Sequence, residues 1–234
     1  ISRQTGKVFP YLKKGATLNI CDCSGVQAAD GSWSWKGSIS GGTNSYGSVI
    51  YTHYGSTLNI YGGTFYGANA GTTGYGTVIG GRTAAVITIN GGTFYGNNAK
   101  QGGIISTTGN LTINGGLFDG NTNASNGKVN ADLPQSVATH GGLFYVAKAL
   151  TITGGEFKAG RVSGSGGIAY VTGSGSVISG GTYTAGGQTN YAGFFRFDGS
   201  ATITGVTLSG GKATTNGNNI AFGSNGNATL TIGE

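Results

Sequence analysis

Apolar and polar positions alternate along this chain in a phrase that closes on a glycine pair and an aromatic residue: apolar-x-Ile-x-Gly-Gly-x-aromatic. It reads LNIYGGTF at 58–65, ITINGGTF at 87–94, LTINGGLF at 111–118, LTITGGEF at 150–157 and SVISGGTY at 176–183, with a worn copy, ATITGVTL, at 201–208. The anchoring isoleucines are Ile60, Ile89, Ile113, Ile152, Ile178, Ile203 and Ile232, which mark units of about 25 residues with one longer interval. Ile20 and Ile39 read as two further, worn anchors. A second apolar phrase precedes each anchor: GSVIYT (47–52), GTVIGG (76–81), GGIIST (102–107), GGLFYV (141–146), GGIAYV (166–171), AGFFRF (192–197) and GNNIAF (217–222). Each unit therefore holds two or three short strands between glycine-rich turns, and no useful 3.6-residue period competes with them.

A unit of this kind cannot bury its own apolar face, but copies stacked in register can. In L-T-I-N the Leu and Ile point one way and the Thr and Asn the other. The anchors then form one interior column. Phe65, Phe94, Phe118, Phe157, Tyr183 and Leu208, five residues on, form a second. The pattern predicts an all-β protein, a single right-handed parallel β-helix (solenoid) of about seven to eight coils. Residues 1–16, with Val8, Phe9, Tyr11 and Leu12, are expected to cap its N-terminal end, and residues 17–234 to form the solenoid. Long loops are expected near 21–54 and 119–140, where insertions in solenoids often carry binding surfaces.

Composition narrows the class. The chain has 50 glycines among 234 residues and only two prolines, Pro10 and Pro134, yet it carries 12 Tyr and 10 Phe. A disordered chain would lack those aromatics, and no strict Gly-X-Y period suggests collagen. Thirteen Lys and Arg against seven acids leave a net charge of +6. The cations are scattered, with Lys13–Lys14 the one adjacent pair, so no nucleic-acid site is expected. No apolar run approaches the ~20 residues that span a bilayer. The Asn-, Thr-, Ser- and Gly-rich composition points to the extracellular space or the cell surface. The lack of Met and the final partial repeat suggest a portion of a longer chain. Cys21 and Cys23, in C-D-C, would share one side of a strand; they read as two buried thiols, with a strained local disulfide the alternative.

Two elements of the repeat resemble a known family. Phe94-Tyr95-Gly96-Asn97 and Phe118-Asp119-Gly120-Asn121 are similar to the F-x-x-N element of the polymorphic outer-membrane protein repeat. Gly102-Gly103-Ile104-Ile105 and Gly166-Gly167-Ile168-Ala169 are similar to relaxed versions of its G-G-A-I partner. The resemblance covers roughly residues 57–232. The intact G-G-A-I tetrapeptide never occurs, later coils lose F-x-x-N, and a membrane-barrel region is absent from this sequence. In that family the passenger domains are right-handed β-helices of autotransporter adhesins, so the resemblance implies surface display and adhesion.

Candidate chemistry is aromatic rather than acidic. Trp33-Ser34-Trp35 places two indoles on one side of an extended segment, with Tyr46, Tyr51, His53 and Tyr54 close in sequence. Tyr66 and Tyr95 follow the aromatic column and should face outward as a pair. We read Trp33, Trp35, Tyr46, Tyr54, Tyr66 and Tyr95 as ligand-binding, because flat apolar ring faces suit pyranose rings. The alternative is that one or both tryptophans fill a wide first coil as core. The expected partner is a polysaccharide or a cell-surface receptor, with no cofactor and no metal, since His53 and His140 lie far apart. A polysaccharide lyase or glycoside hydrolase would draw on Asp119, His140, Lys128 and Arg161, but the seven acids form no D-x-D cluster. A third reading, a structural or ice-facing solenoid, rests on the row Thr88/Asn90, Thr112/Asn114, Thr151/Thr153 and Thr202/Thr204, interrupted by Asn59/Tyr61 and Val177/Ser179.

Overall fold

The computed structural model describes the whole chain except residues 1–9, 31–32, 41, 43–44, 48, 67–69, 96–98, 121–123, 126–127, 130–136, 187–188 and 224–227. The side chains of residues 71, 72, 124, 125, 128, 129, 137 and 161 are likewise outside the description. Among the described residues there is no helix. Short strands stack in parallel into four ladders, and each complete coil contributes one rung to each.

The repeated phrase is two strands folded at its glycine pair. The apolar-x-Ile half builds an anchor ladder of eight rungs: Thr17–Ile20, Thr57–Ile60, Val86–Ile89, Asn110–Ile113, Leu150–Ile152, Ser176–Ile178, Ala201–Thr204 and Leu230–Gly233. The x-aromatic half builds an aromatic ladder of six: Ser38–Ser40, Thr64–Tyr66, Thr93–Tyr95, Leu117–Asp119, Glu156–Lys158 and Thr182–Thr184. The second apolar phrase forms a return ladder of eight: Tyr11–Leu12, Ile50–Thr52, Ile79–Gly81, Ile105–Thr107, Phe144–Val146, Ala169–Val171, Phe195–Phe197 and Ile220–Phe222. Between aromatic and return strands lies a polar ladder of six: Gly71–Tyr75, Ala99–Gln101, Val137–His140, Arg161–Ser165, Thr189–Tyr191 and Ala213–Asn216.

The corner between the anchor and aromatic ladders explains the glycine pair. Its second glycine has φ between +100° at Gly181 and +115° at Gly155, a region that L side chains rarely adopt. Its first glycine packs against the coil before it: a Cβ on Gly115 would sit 2.9 Å from the Asn90 carbonyl oxygen, and one on Gly154 2.6 Å from that of Asn114. Backbones approach so closely at this corner that side chains are excluded from it.

The interior follows the alternation. Ile60, Ile89, Ile113, Ile152 and Ile178 are fully buried and register rung on rung. The rings of Phe65, Phe94, Phe118, Phe157 and Tyr183 stack at 4.9, 4.7, 5.3 and 5.0 Å, within 10° of parallel. The return ladder closes the core from the opposite side with Phe144, Phe195 and Phe197, joined by Phe194 just before its strand, all fully buried.

Several details depart from the sequence reading. The solenoid makes about six turns, because the terminal rungs have no partner in two of the four ladders. Ile39 anchors no coil of its own; it opens the aromatic ladder, opposite Phe65. Leu208 lies outside any strand and packs against the core only partly buried, and Ile232, opposite Ile203 on the last rung, is 66% exposed. Cys21 and Cys23 are exposed rather than buried, with sulfurs 3.0 Å apart, because both point away from the interior beyond Ile20. Of the segment expected to cap the solenoid, residues 1–9 lie outside the described residues, while Tyr11–Leu12 add a parallel rung beside Tyr51–Thr52. Within 21–54 a hairpin pairs Val26–Gln27 with Trp33–Ser34, and within 119–140 a second pairs Ala124–Ser125 with Lys128–Val129.

Candidate functional site

The side-chain-free glycine corner repeats on five successive coils, from Gly62–Gly63 to Gly180–Gly181, so stacking turns it into a trough along the axis. The first hairpin grows from the start of that trough. Its base is tied by Asp22, whose Oδ1 accepts from the Ser24 amide at 3.0 Å and the Ser24 hydroxyl at 2.5 Å, and whose Oδ2 accepts from the Gly37 amide at 2.6 Å. Those donors, the Ser24 hydroxyl foremost, hold the carboxyl below the usual carboxylate range. The Ser24 hydroxyl also accepts from the Lys36 amide at 3.1 Å. Both arms of the hairpin are thus fixed to one carboxylate.

The hairpin then lays Trp35 flat on glycine. A Cβ on Gly62 would fall 2.3 Å from the indole, and one on Gly25 2.4 Å from it, so the ring lies where only glycine backbone permits. Trp33 stacks on Trp35 with centroids 5.5 Å apart and planes 13° from parallel. Trp33 stays 52% exposed and Tyr61 beside it 49%. Trp33 therefore does not fill the first coil, whereas Trp35 is half-buried, packed over the corner between Gly25, Gly62 and Trp33.

Below the indoles the trough opens into a cleft of about 440 Å³. Its floor is the glycine pairs 91–92 and 115–116 with Gly155; its walls are Trp33, Trp35 and Tyr61 at one end and Asn90, Thr93, Leu117 and Glu156 along the sides. From the Gly62 rung to the Gly155 rung it runs three steps of about 4.8 Å, or about 14 Å. Asn114 Nδ2 donates to Asn90 Oδ1 at 2.9 Å, and the Thr153 hydroxyl donates to Asn114 Oδ1 at 2.9 Å, so the amides beside the floor form a fixed polar ladder. Glu156 faces Lys158 Nζ at 3.4 Å. Flat apolar rings at one end, with amides, hydroxyls and one carboxylate along the length, can stack on and hydrogen-bond a flat polyhydroxylated ligand.

The remaining expected binding residues do not join this cleft. Tyr46 stacks on Tyr75 at 5.1 Å with Arg82 over its ring, beside the polar ladder. Tyr54 sits in the turn after a return strand, under Lys14. Tyr66 and Tyr95 are half-buried on the outer row of the aromatic ladder, where burial and then the charge of Asp119 raise the Tyr95 phenol. Asp119, opposite Tyr95, is itself buried and lies 3.7 Å from Lys158 Nζ, on the aromatic ladder. His140 stands on the polar ladder beside Tyr170 instead. The side chains of Lys128 and Arg161, and the residues Asn97 and Asn121, lie outside the described residues. Among the described residues no three His, Cys, Asp or Glu side chains gather as a metal site would require.

Sequence reasoning missed Tyr61, taken there as a break in a threonine row, and the glycine floor itself. The signal was present in the repeat: a glycine pair at one corner of five successive coils implies an axial trough. It also missed Tyr170, Tyr191, Arg196 and Asp198, whose convergence depends on the register of the polar and return ladders.

The fold and this surface define a glycine-rich parallel β-helix with a tryptophan-lined axial cleft. Comparison with protein-family models, with curated proteins and with solved structures returns no match. No helix among the described residues is long and apolar enough to cross a membrane.

Proposed function

We propose that the chain is an adhesin-like module, displayed at the cell surface or secreted, that binds a glycan in the Trp33 cleft without cleaving it. The observation that carries this reading is the stacked indole pair laid over a glycine floor, with Trp33 half exposed and held in place before any ligand arrives. A preorganised aromatic face loses little conformational freedom on binding. Glycoside hydrolysis normally uses two carboxylates flanking the scissile bond, whereas the described cleft is lined by Glu156 alone among the acids. The resemblance of the repeat to adhesin passengers supports surface display.

Affinity electrophoresis in gels cast with plant, mucin and bacterial polysaccharides tests the reading, with reducing-end and unsaturated-sugar assays run on the same mixtures. At least one glycan should retard the protein. Trp33→Ala should weaken that retardation by about thirtyfold, the cost of a central aromatic anchor worth about 2 kcal/mol. Accumulating cleavage products, or a Trp33→Ala variant retarded like wild type, would overturn the proposal.

A further inference from the structure

On a different face, where the polar and return ladders adjoin, a second cleft of about 650 Å³ lies near the C-terminal end of the solenoid. Register creates it. On the return ladder Tyr170 is followed by Arg196 and then by the small Ala221. On the polar ladder His140 is followed by Ser165, Tyr191 and Asn216. Large rings on the earlier rungs and small residues on the last leave a hollow with Arg196 at its centre.

Arg196 is held there from three directions. Its Nε donates to Asp198 Oδ1 at 2.9 Å. Its guanidinium carbon lies 5.9 Å from the Tyr170 ring centroid and 5.6 Å from that of Tyr191, so the cation rests against two aromatic rings. The Tyr170 hydroxyl donates to Asp198 Oδ2 and fixes the carboxylate in turn. Among the described residues no acceptor bonds the two terminal nitrogens of Arg196, and the side chain lines the cleft. That leaves open the edge of the guanidinium that matches two coplanar oxygens in a bidentate pair.

We infer that this second cleft binds the carboxylate of an acidic sugar unit in a polysaccharide, with Arg196 as its bidentate partner. The two oxygens of a carboxylate match that open edge. Tyr191 offers a ring face, and Ser165 and Asn216 offer groups for sugar hydroxyls. His140, half-buried and 5.1 Å from Tyr170, has its pKa lowered first by burial and then by Arg196, so at neutral pH it adds no second cation. Specificity for charge therefore rests on Arg196. These residues are separate from the tryptophan cleft, and either site can fail without the other.

The test is affinity electrophoresis in polygalacturonate, alginate, hyaluronate and polysialate, with fully methyl-esterified pectin and dextran sulfate as controls. At least one carboxylate polymer should retard the wild-type protein, and esterification should abolish the effect. Arg196→Gln should weaken retardation about tenfold or more, the loss of one charge-assisted pair. Arg196→Lys, which keeps the charge and loses the planar fork, should recover only part of it. Lys148→Gln, which removes one exposed charge outside both clefts, should leave it unchanged. No retardation by any of the four polymers would overturn the inference. So would equal retardation by dextran sulfate, which would trace the effect to the net charge of +6. Should Arg196→Gln lose its native circular dichroism, the Lys variant and the ester comparison on wild type still decide: binding by either at the wild-type carboxylate level overturns it.

Discussion

Phe118→Ala tests whether the aromatic column carries the stability of the solenoid. Phe118 is fully buried, and its ring has three aromatic neighbours: Phe94 stacked at 4.7 Å, Phe157 stacked at 5.3 Å and Phe144 edge-on at 5.1 Å. Truncating a buried Phe costs about 3–5 kcal/mol through lost transfer energy and the cavity left behind. Collapse into that cavity is restricted here, because the rung is hydrogen-bonded in register to the coils on both sides. Three ring contacts, each worth about 0.5–1.5 kcal/mol, push the cost to the upper end, about 4–5 kcal/mol. Phe118→Leu keeps most of the volume and loses chiefly the ring terms, so it should cost about 1–3 kcal/mol. Ile232→Ala, at a site 66% exposed, should cost no more than about 0.5 kcal/mol. Guanidinium unfolding followed by far-UV circular dichroism measures all three. Tryptophan fluorescence from the first coil checks that distant coils melt together, since repeat proteins can lose cooperativity. A Phe118→Ala cost equal to that of Ile232→Ala would refute the column as the core.

Three further outcomes can be measured alongside. Gly92→Ala, at φ +111° with its new Cβ 3.0 Å from the Gly63 carbonyl oxygen, should lower stability by about 1–3 kcal/mol. Gly55→Ala, at φ +64° in open space, should cost only about 1–2 kcal/mol, and thermal melts of the two variants rank them. Asn114→Ala removes the exposed bonds to Asn90 and Thr153 and should cost about 1 kcal/mol in the same melts, with no change in the fold by circular dichroism. Tyr170 is pushed up to about 12 by burial first, and then by its hydrogen bond to Asp198 and that carboxylate's charge. The fold favours its neutral form, so its contribution is intact below the unfolded value of about 10 and is lost as pH rises through about 12. Wild type should therefore lose more stability than Tyr170→Phe across that window, and tyrosinate absorbance should show one phenol fewer ionising late in the variant.

The ladders that bury side chains were legible because the buried and exposed positions alternate with period two and recur coil after coil. Ile60 through Ile203 and Phe65 through Tyr183 could be placed by counting. The polar ladder was not, because strands such as Gly71–Tyr75 and Arg161–Ser165 contain glycine and serine and show no apolar alternation. The side chains this ladder buries are small and change type from coil to coil, as Ala99, Ala138, Val162 and Thr189 do, so they leave no apolar period to read. Ile39 misled for a related reason: S-I-S-G-G carries the anchor's residues, but Thr17–Ile20 is already the anchor strand of this coil, and the hairpin is inserted between it and Ser38–Ser40, which joins the aromatic ladder. The tryptophans were recognisable as a pair from W-S-W. Their seat over Gly62 depends on a turn set by Asp22, Ser24 and Gly37, contacts that span up to 15 residues and leave no periodic trace.

Recognition by a regular solenoid has to come from departures from the repeat, since identical rungs present an even surface on which no register is preferred. Both clefts obey this. The glycine trough is common to many coils, yet only the inserted hairpin places rings over it, at one end, which gives a ligand a fixed starting point. The second cleft exists because Ala221 follows Arg196 where a larger residue would have filled the hollow. Neither departure touches the interior columns: Trp33 and Trp35 lie outside the glycine corner, and Arg196 lies on the outer face of a strand whose flanking Phe195 and Phe197 are fully buried. In a stack where each coil contacts chiefly its neighbours, a hairpin on the first coil and an arginine five rungs on along the return ladder share no partner. Their effects on stability should therefore add, and the surface of this fold can change its ligand while the core that holds it stays the same.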